Sequence, residues 1–142
     1  MSAQLKLASD IPAPRDASGE VNGTIGDHIF TTQIGQWSYH DGTVELFLID
    51  KHDDGSVAEE VFIQFPSDVE RNKGLTLQSQ KAPQAWVTFN ATKPPEIVQC
   101  TQATLFIETL EISPFNVKGR LSGKTDDADH PVNIDFYLKQ NT

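Results

Sequence analysis

Two short stretches of the sequence are rich in carboxylates, the oxygen ligands that calcium prefers in proteins. The stretches are DKHDDGS at residues 50–56 and KTDDADHP at residues 124–131, and their acids are Asp50, Asp53, Asp54, Asp126, Asp127 and Asp129. An EF-hand loop starting at Asp50 would need a bidentate acid at its twelfth position, where the chain has Val61. Because aspartate and glycine favour turns for local reasons, we expect two solvated turns and no metal. The alternative is a calcium site at Asp50, Asp53 and Asp54, or one assembled from both turns.

The other reactive residue types show neither catalytic nor metal-binding spacing. The histidines are His28, His40, His52 and His130. They include no pair four residues apart and have no cysteine nearby, so they do not predict a zinc site. Cys100 has no histidine in its own strand region, so we expect a buried thiol rather than a nucleophile. The sequence also lacks the common serine-hydrolase, phosphate-binding, dinucleotide-binding and zinc-protease motifs. We therefore expect no catalytic activity and no cofactor.

Three aromatic residues offer a different kind of site. Trp37 and Tyr39 are two residues apart, so they fall on one face of a strand, and Phe30 belongs to the same predicted hairpin. Such a hairpin could present a flat aromatic surface to a ligand or a partner. The alternative, which we favour, is that Trp37 and Tyr39 join the core, because large aromatic residues usually dominate core burial.

The elements that must position these residues are predicted from hydrophobic alternation and turn signals. From Gly19 onward, short β-rich runs recur between NG, DG, KG, KPP, SPF and SG, which is typical of an all-β chain. In the clearest run every second residue from Val132 to Leu138 is apolar. Asp41-Gly42 can supply the positive φ angles of a tight hairpin. The predicted strands cover residues 20–25, 28–39, 43–50, 57–65, 75–80, 84–90, 97–112 with a break, 116–123 and 131–139.

The chain is predicted to form one domain, since 142 residues is an ordinary domain size. Residues 1–18, which include Pro12 and Pro14, are expected to be a flexible N-terminal arm. Residues 19–142 then form a single β domain around one hydrophobic core.

The fold class is predicted to be all-β, with at most one short helix near 66–73. The helical candidate could be capped by Ser67 and ended by Gly74. Alternating apolar stripes in the strands favour a single antiparallel β-sandwich or a flattened β-barrel.

Net charge narrows the classes of partner. Twenty acidic and eleven basic residues give a formal charge of −9, which repels nucleic acid and attracts basic partners or cations. The carboxylates expected to steer such a partner are at positions 45, 50, 53, 54, 59, 60, 126, 127 and 129. A net charge of this size also serves solubility.

The sequence predicts a cytoplasmic protein. The longest apolar runs are only a few residues long, so no membrane span is expected. Lys6 interrupts Leu5 and Leu7, so the N-terminus has no apolar signal region. The single cysteine, Cys100, cannot form an internal disulfide, which fits a reducing compartment.

The order of turn glycines and alternating strands resembles that of small bacterial β-sandwich domains of unassigned function. The matching stretches are GEVNGTIGDHIF, VELFLIDKHDDG, GLTLQS, TLFIETLEISPFNVKGRLSGKT and VNIDFYLK, which cover most of residues 19–139. Many such domains look like lipoproteins, but this chain has no lipid-attachment cysteine near its start, which argues against an envelope location. The resemblance implies a β-sandwich and transfers no catalytic residue.

Two functions are consistent with the sequence. The first is a noncatalytic interaction protein whose acidic β-sheet surface binds a basic protein, for example as the immunity partner of a bacterial toxin. The second is a small-ligand-binding or carbohydrate-binding β-sandwich whose site is the aromatic patch at Trp37 and Tyr39 or an interior cavity. In a narrower version of the second function, calcium held by the aspartate-rich turns assists carbohydrate binding.

Overall fold

The structure is a computed structural model, and it describes residues 14–26, 28–51, 53–77, 85–92, 95–126 and 130–141. Within these residues the chain forms ten strands and no helix. The predicted all-β class is therefore confirmed. The strands are β1 (Arg15–Ile25), β2 (His28–His40), β3 (Thr43–Lys51), β4 (Val57–Pro66), β5 (Leu75–Thr76), β6 (Trp86–Thr92), β7 (Pro95–Gln99), β8 (Gln102–Ile112), β9 (Phe115–Lys124) and β10 (Pro131–Gln140).

All ten strands belong to one sheet, in which every neighbouring pair is antiparallel. The order across the sheet is β5-β8-β9-β10-β1-β2-β3-β4-β6-β7. Strands consecutive along the chain are mostly neighbours, and the first long strand, β1, pairs with the last strand, β10. A sandwich of two separate sheets is not confirmed, because the described strands form a single sheet.

The sheet is curled, and its two margins approach each other at one short connection. β7 lies at one margin and β8 lies next to the other, yet only Cys100 and Thr101 connect them. Such a connection spans roughly 10 Å at most, at about 3.3–3.6 Å per residue. Cys100 joins the two halves of the sheet, because its N–H donates to Val87 O of β6 (3.1 Å) and its thiol donates to Lys124 O of β9 (3.2 Å). The same connection is the break in the predicted strand 97–112.

The concave face of the curled sheet carries the hydrophobic core. The alternate residues of β10 predicted to face inward are all at most 2% exposed. Equivalent stripes from the other long strands meet them, so alternation along the sequence becomes one shared interior. The largest fully buried side chains are Phe30, Phe65, Phe115, Phe136, Leu46, Leu48, Ile63, Leu105, Ile107, Leu121, Ile134 and Leu138.

β3 has apolar side chains on both faces of the sheet. Leu46 and Leu48 are fully buried on the concave face. Phe47, on the convex face, packs against Phe62 of β4 with ring centroids 5.2 Å apart, and Phe62 meets the Trp86 ring edge-on at 5.6 Å. This aromatic row explains why a strand in the middle of the sheet is apolar at nearly every position.

The predicted hairpin between β2 and β3 is confirmed. Asp41 and Gly42 have φ angles of 50° and 77°, as a two-residue turn with left-handed backbone requires. The ladder continues directly from this turn, with His40 opposite Thr43.

The helix considered near 66–73 does not form. The Ser67 N–H donates to Gly42 O of the β2–β3 turn, and the Asn72 N–H donates to Ile107 O of β8, both at 2.8 Å. Asn72 also has a φ of 59°, which ends any right-handed helix. A helix of two turns is marginal on its own, so hydrogen bonds to the neighbouring strands decide this segment's conformation.

Two boundaries depart from the sequence prediction. β1 begins at Arg15, so residues 15–18, which the sequence assigned to the arm, are part of the sheet. The rest of the arm that was predicted, residues 1–13, lies outside the described residues. The predicted strand 75–80 is described only as far as Leu77, since residues 78–80 also lie outside them.

Candidate functional site

The three aromatic candidates do not form one exposed surface. Phe30 is fully buried and Trp37 is 5% exposed, so both belong to the core, whereas Tyr39 is 38% exposed. Phe30 and Trp37 also line different cavities. The prediction that both residues join the core is therefore correct for Trp37 and wrong for Tyr39.

Trp37 and Tyr39 line a cavity of about 300 Å³ near the β2–β3 turn. The Trp37 ring stacks on Phe115, with centroids 4.2 Å apart and planes 3° from parallel. The Arg15 guanidinium carbon lies 5.5 Å from the centroid of the same indole. The indole is thus packed against protein groups and is not displayed as a platform for a ligand.

Five carboxylates gather on the hairpin that joins β3 to β4, which we call the acidic hairpin (residues 50–60). They are Asp50, Asp53, Asp54, Glu59 and Glu60, and the same stretch contains one lysine, Lys51. Asp53 and Asp54 are exposed at the turn. Asp50 and Glu59 are direct partners in the β3–β4 ladder, so their Cβ atoms leave one face of the sheet about 4.5–5.5 Å apart. Charge of one sign is therefore concentrated at this end of the sheet.

One side chain from outside the hairpin partly offsets this repulsion. His28 Nε2 of β2 hydrogen-bonds the Glu59 carboxylate, and these two side chains are 52% and 28% exposed. The contact crosses from β2 to β4 past the end of β3. Glu60 accepts a hydrogen bond from Asn90 Nδ2 of β6 (3.1 Å). The two glutamates are thus held in place by neighbours, whereas Asp53 lies in the exposed turn.

Two aspartates of the predicted turns have local structural roles. Asp54 Oδ1 accepts from the N–H (2.9 Å) and the hydroxyl (2.6 Å) of Ser56, which closes the turn. Asp126 accepts from the N–H (2.7 Å) and the hydroxyl (2.9 Å) of Thr101, which ties the β9–β10 turn to the β7–β8 connection. Asp127 and Asp129 lie outside the described residues.

In the described part of the chain, no three His, Cys, Asp or Glu side chains converge as metal ligands. This holds for the acidic hairpin, where Asp50, Asp53 and Asp54 were the alternative calcium ligands. One Asp54 oxygen accepts two hydrogen bonds from Ser56. The described residues therefore supply no observation that favours the calcium version of the site.

A cavity of about 170 Å³ opens beside the acidic hairpin at the rim of the concave face, and we call it the mouth cavity. Its walls come from β1 and β2 on one side and from β4, β6 and β7 on the other. The apolar lining is Ile25, Phe30, Val61, Phe89, Ala91 and Val98. His28 and Glu59 join the two walls, so their hydrogen bond spans the mouth.

The sheet is split between β2 and β3 next to this cavity. The ladder between these strands runs from Gly35 opposite Leu48 to the β2–β3 turn. Before Gly35, β2 has ladder partners on β1. In this part of β2, the Thr32 hydroxyl donates a hydrogen bond to Ile49 O of β3 (2.6 Å). At this end of the sheet, the described contacts between the β1–β2 hairpin and β3 and β4 are thus made by the side chains of Thr32 and His28.

A second space, the convex groove, lies on the outer face of β8, β9, β10 and β1 and has a volume of about 570 Å³. Arg120 Nε donates to Asp135 Oδ1 (3.0 Å), and Lys118 Nζ lies 3.5 Å from Glu108 Oε2. Tyr137 contributes an aromatic ring to the lining. These opposite charges largely cancel, so the groove differs from the acidic hairpin in its electrostatics.

Cys100 is a structural thiol. It is fully buried at the junction of the sheet margins, and its thiol donates to Lys124 O. Burial, together with the negative charge of Asp126, raises the pKa of the thiol from its ordinary value of 9.0 to about 12. Since the thiolate is the nucleophile, this thiol is unreactive near neutral pH.

Comparison of the chain with protein-family models, with curated proteins and with solved structures found no match. The resemblance to small bacterial β-sandwich domains therefore stays a prediction. The described residues contain no helix that could cross a bilayer.

Sequence reasoning missed His28, which lies 31 residues before its partner Glu59. Both acids of the pair Asp50 and Glu59 were recognised as charges, but their direct opposition depends on the β3–β4 register. The one usable signal was the alternation itself: Asp50 continues the inward stripe of Leu48, and Glu59 continues that of Val61. That pattern places both carboxylates at the rim of the interior.

Proposed function

We propose that this chain is a noncatalytic binding domain that recognises a basic protein through its acidic hairpin. The observation that carries the proposal is the direct opposition of Asp50 and Glu59 in the β3–β4 ladder. Three further carboxylates lie within the same eleven residues of sequence, with a single lysine among them. A cationic patch on a partner would relieve this repulsion. Electrostatic attraction therefore favours binding of such a partner at the acidic hairpin.

The distribution of charge supports a directed interaction in addition to solubility. Solubility needs a net charge but not its concentration on one hairpin. Four of the eleven basic residues project from β9 and β10, which β1 and β2 separate from β3 in the sheet. They are Lys118, Arg120, Lys124 and Lys139. A basic partner would therefore be attracted to one end of the molecule and steered into one orientation.

The proposal is tested by removing two hairpin charges that have no part in the core. In Asp53→Asn with Asp54→Asn, the side chains keep their shape and their turn-forming ability but lose both charges. The wild-type chain is first used to capture proteins from the lysate of its host at low salt, and the retained basic protein is purified. We expect the double variant to bind it about tenfold more weakly, or worse, by calorimetry.

The matched control removes two exposed carboxylates from other strands, in Glu20→Gln with Glu111→Gln. This variant has the same net charge as the hairpin variant, and we expect its dissociation constant to stay within about twofold of the wild type. Equal weakening of both variants would mean that net charge alone drives binding. Failure to retain any basic protein at low salt would contradict the proposal outright.

A second candidate function, binding of a neutral carbohydrate, is favoured by the convex groove. Its volume of about 570 Å³ lies within the roughly 300–1,000 Å³ of known ligand sites. Paired polar groups such as Arg120 and Asp135 can hydrogen-bond neighbouring hydroxyls, and the Tyr137 ring can cover an apolar sugar face. The groove is therefore suited to an uncharged ligand with several hydroxyl groups.

This second candidate is tested by NMR titration with a panel of neutral oligosaccharides. Binding in the groove predicts shifts of backbone amides in β9 and β10, and their loss in Tyr137→Ser. Repeating the titration with millimolar calcium tests the calcium-assisted version, which predicts tighter binding and a higher melting temperature. No amide shift with any sugar, with or without calcium, removes this candidate.

A further inference from the structure

We propose that the mouth cavity receives one basic side chain of the partner, a lysine or an arginine, whose cation binds Glu59. This proposal rests on the proposed function for the source of the side chain. It goes further in naming the pocket, the group that enters it and the carboxylate that binds it.

The inner part of the cavity is apolar and closely fitted. Phe30 and Val61 are at most 1% exposed and Phe89 is 8% exposed, so its deep walls offer no hydrogen bond to water. An apolar space of about 150 Å³ is large enough for a benzene-sized group. A volume of about 170 Å³ therefore suits the methylene stem of one long side chain.

The rim of the cavity supplies the charge that the end of such a side chain needs. Glu59 lies at the mouth, Asp50 faces it across the ladder, and Glu60 follows it in β4. An anionic ligand would be repelled here, and a neutral apolar ligand could not make a charge-assisted hydrogen bond with Glu59. A cation on a short apolar stem satisfies both parts of the site.

His28 closes the mouth and can be displaced. Its side chain is half exposed and holds Glu59 through one hydrogen bond, so it can turn into water without disturbing the core. An ammonium or guanidinium group then takes its place as the donor to Glu59, with a charge-assisted hydrogen bond. The gap between the two walls, which the His28–Glu59 hydrogen bond spans, gives the entering side chain a path.

Model compounds test the pocket without the partner. n-Butylammonium and n-propylguanidinium reproduce the two side chains, and butanol and butyrate are the neutral and anionic controls. NMR should show both cations shifting the methyl signals of Val61 and Val98, with dissociation constants in the millimolar range that such small ligands reach. Butanol should bind at least about tenfold more weakly, and butyrate should give no shift.

Three variants test whether the cations bind in the mouth cavity. Glu59→Gln keeps a hydrogen-bond acceptor for His28 but removes the charge, and should weaken cation binding about tenfold. Ala91→Leu narrows the cavity from a half-buried position at its rim and should abolish binding, with folding checked by the methyl spectrum. Asp53→Asn removes a charge of the acidic hairpin outside the cavity lining and should leave cation binding within about twofold.

Competition with the purified partner identifies the natural occupant. If n-butylammonium or n-propylguanidinium weakens partner binding to the wild type but not to Glu59→Gln, the pocket receives a partner side chain. If neither cation shifts the cavity methyls, or if both bind without affecting the partner, the inference is overturned. The effect of the Asp53 and Asp54 double variant on partner binding is independent of these outcomes, so failure of the pocket and failure of the acidic hairpin are distinguishable.

Discussion

Asp50 and Glu59 face each other across β3 and β4, an arrangement that costs a sheet about 0.2–1 kcal/mol relative to a neutral pair. His28 offsets part of this cost through its hydrogen bond to Glu59. Local rules are usually broken where a protein needs the broken feature for binding. Removing one of these two charges should therefore raise the free energy of unfolding and weaken binding of the proposed basic partner.

Replacing Asp50 by Asn should raise the free energy of unfolding by about 0.2–1 kcal/mol, because one of the two opposed charges is removed. The urea midpoint should rise with an unchanged m-value, and the gain should shrink in 0.5 M salt as the repulsion is screened. The same variant should bind the basic partner more weakly. A salt-independent gain, or a loss of stability, would show that Asp50 and Glu59 do not repel each other as their register indicates.

The free energy of unfolding should fall at high pH because of Cys100, and the Cys100→Ala variant should lack this contribution. Below pH 9 the thiol is protonated in both states. Between pH 9.0 and about 12, the unfolded chain loses this proton while the folded chain keeps it, so stability falls as pH rises. The contribution reaches about 1.4 kcal/mol per pH unit. It is measured as the difference between wild type and Cys100→Ala in urea unfolding from pH 8 to 11.

Reaction with a thiol reagent gives a second check on Cys100. The native protein at pH 8 should react only at the rate of unfolding, and it should react fully in denaturant. Rapid reaction of the native thiol, or identical pH slopes for the two proteins, would contradict its burial at the sheet junction.

At the scale of elements, the pairing of β1 with β10 joins the two consecutive series of strands into one sheet. Gly23 lies opposite Ile134 in this ladder, and a Cβ at Gly23 would lie 2.1 Å from Asn133 O. Only a residue without a side chain permits this approach of the two backbones. The glycine therefore serves the pairing of β1 with β10 rather than a turn.

Gly23→Ala should destabilise the protein by about 2 kcal/mol or more, because the added methyl group must push β1 away from the β10 backbone. Ser18→Ala is the control, since Ser18 is exposed on the same strand and should change stability by less than about 0.5 kcal/mol. Chemical denaturation of both variants gives the comparison. Equal stabilities would mean that the two strands are not as close as this ladder requires.

Local patterns in the sequence were enough to predict most of the strands. The alternation from Val132 to Leu138 and the Asp41-Gly42 turn were predictable, because each depends on residues a few positions apart. The pairing of β1 with β10 was not predictable, since it joins residues more than a hundred positions apart. The 66–73 segment failed as a helix for a similar reason: its backbone hydrogen-bonds to distant strands, which outweighs a good cap.

The candidate site was predictable only in part. The charges of Asp50, Asp53 and Asp54 were evident, because composition alone reveals them. The contribution of His28 and the cavity beside Glu59 required the curled sheet, which brings β2 and β4 together across the end of β3. Phe30 and Trp37 look alike in the sequence, but the structure places them in different cavities.

At the scale of the whole molecule, curling gives the sheet an interior, and the acidic hairpin and the basic residues of β9 and β10 lie on different strands. Acidic residues concentrate at the rim formed by the β3–β4 hairpin, and four basic residues project from β9 and β10. We propose that this asymmetry orients a basic partner during encounter, so that the association rate constant falls as salt screens the charges. The acidic hairpin is the proposed source of this steering.

The most direct test measures the association rate constant with the purified basic partner at 50 and 500 mM salt. For the wild type we expect a decrease of about tenfold or more, because charge steers the encounter. The Asp53→Asn, Asp54→Asn variant should associate more slowly at 50 mM and depend less on salt, whereas the Glu20→Gln, Glu111→Gln variant should match the wild type. Identical rates and salt dependence for the two double variants would contradict the account.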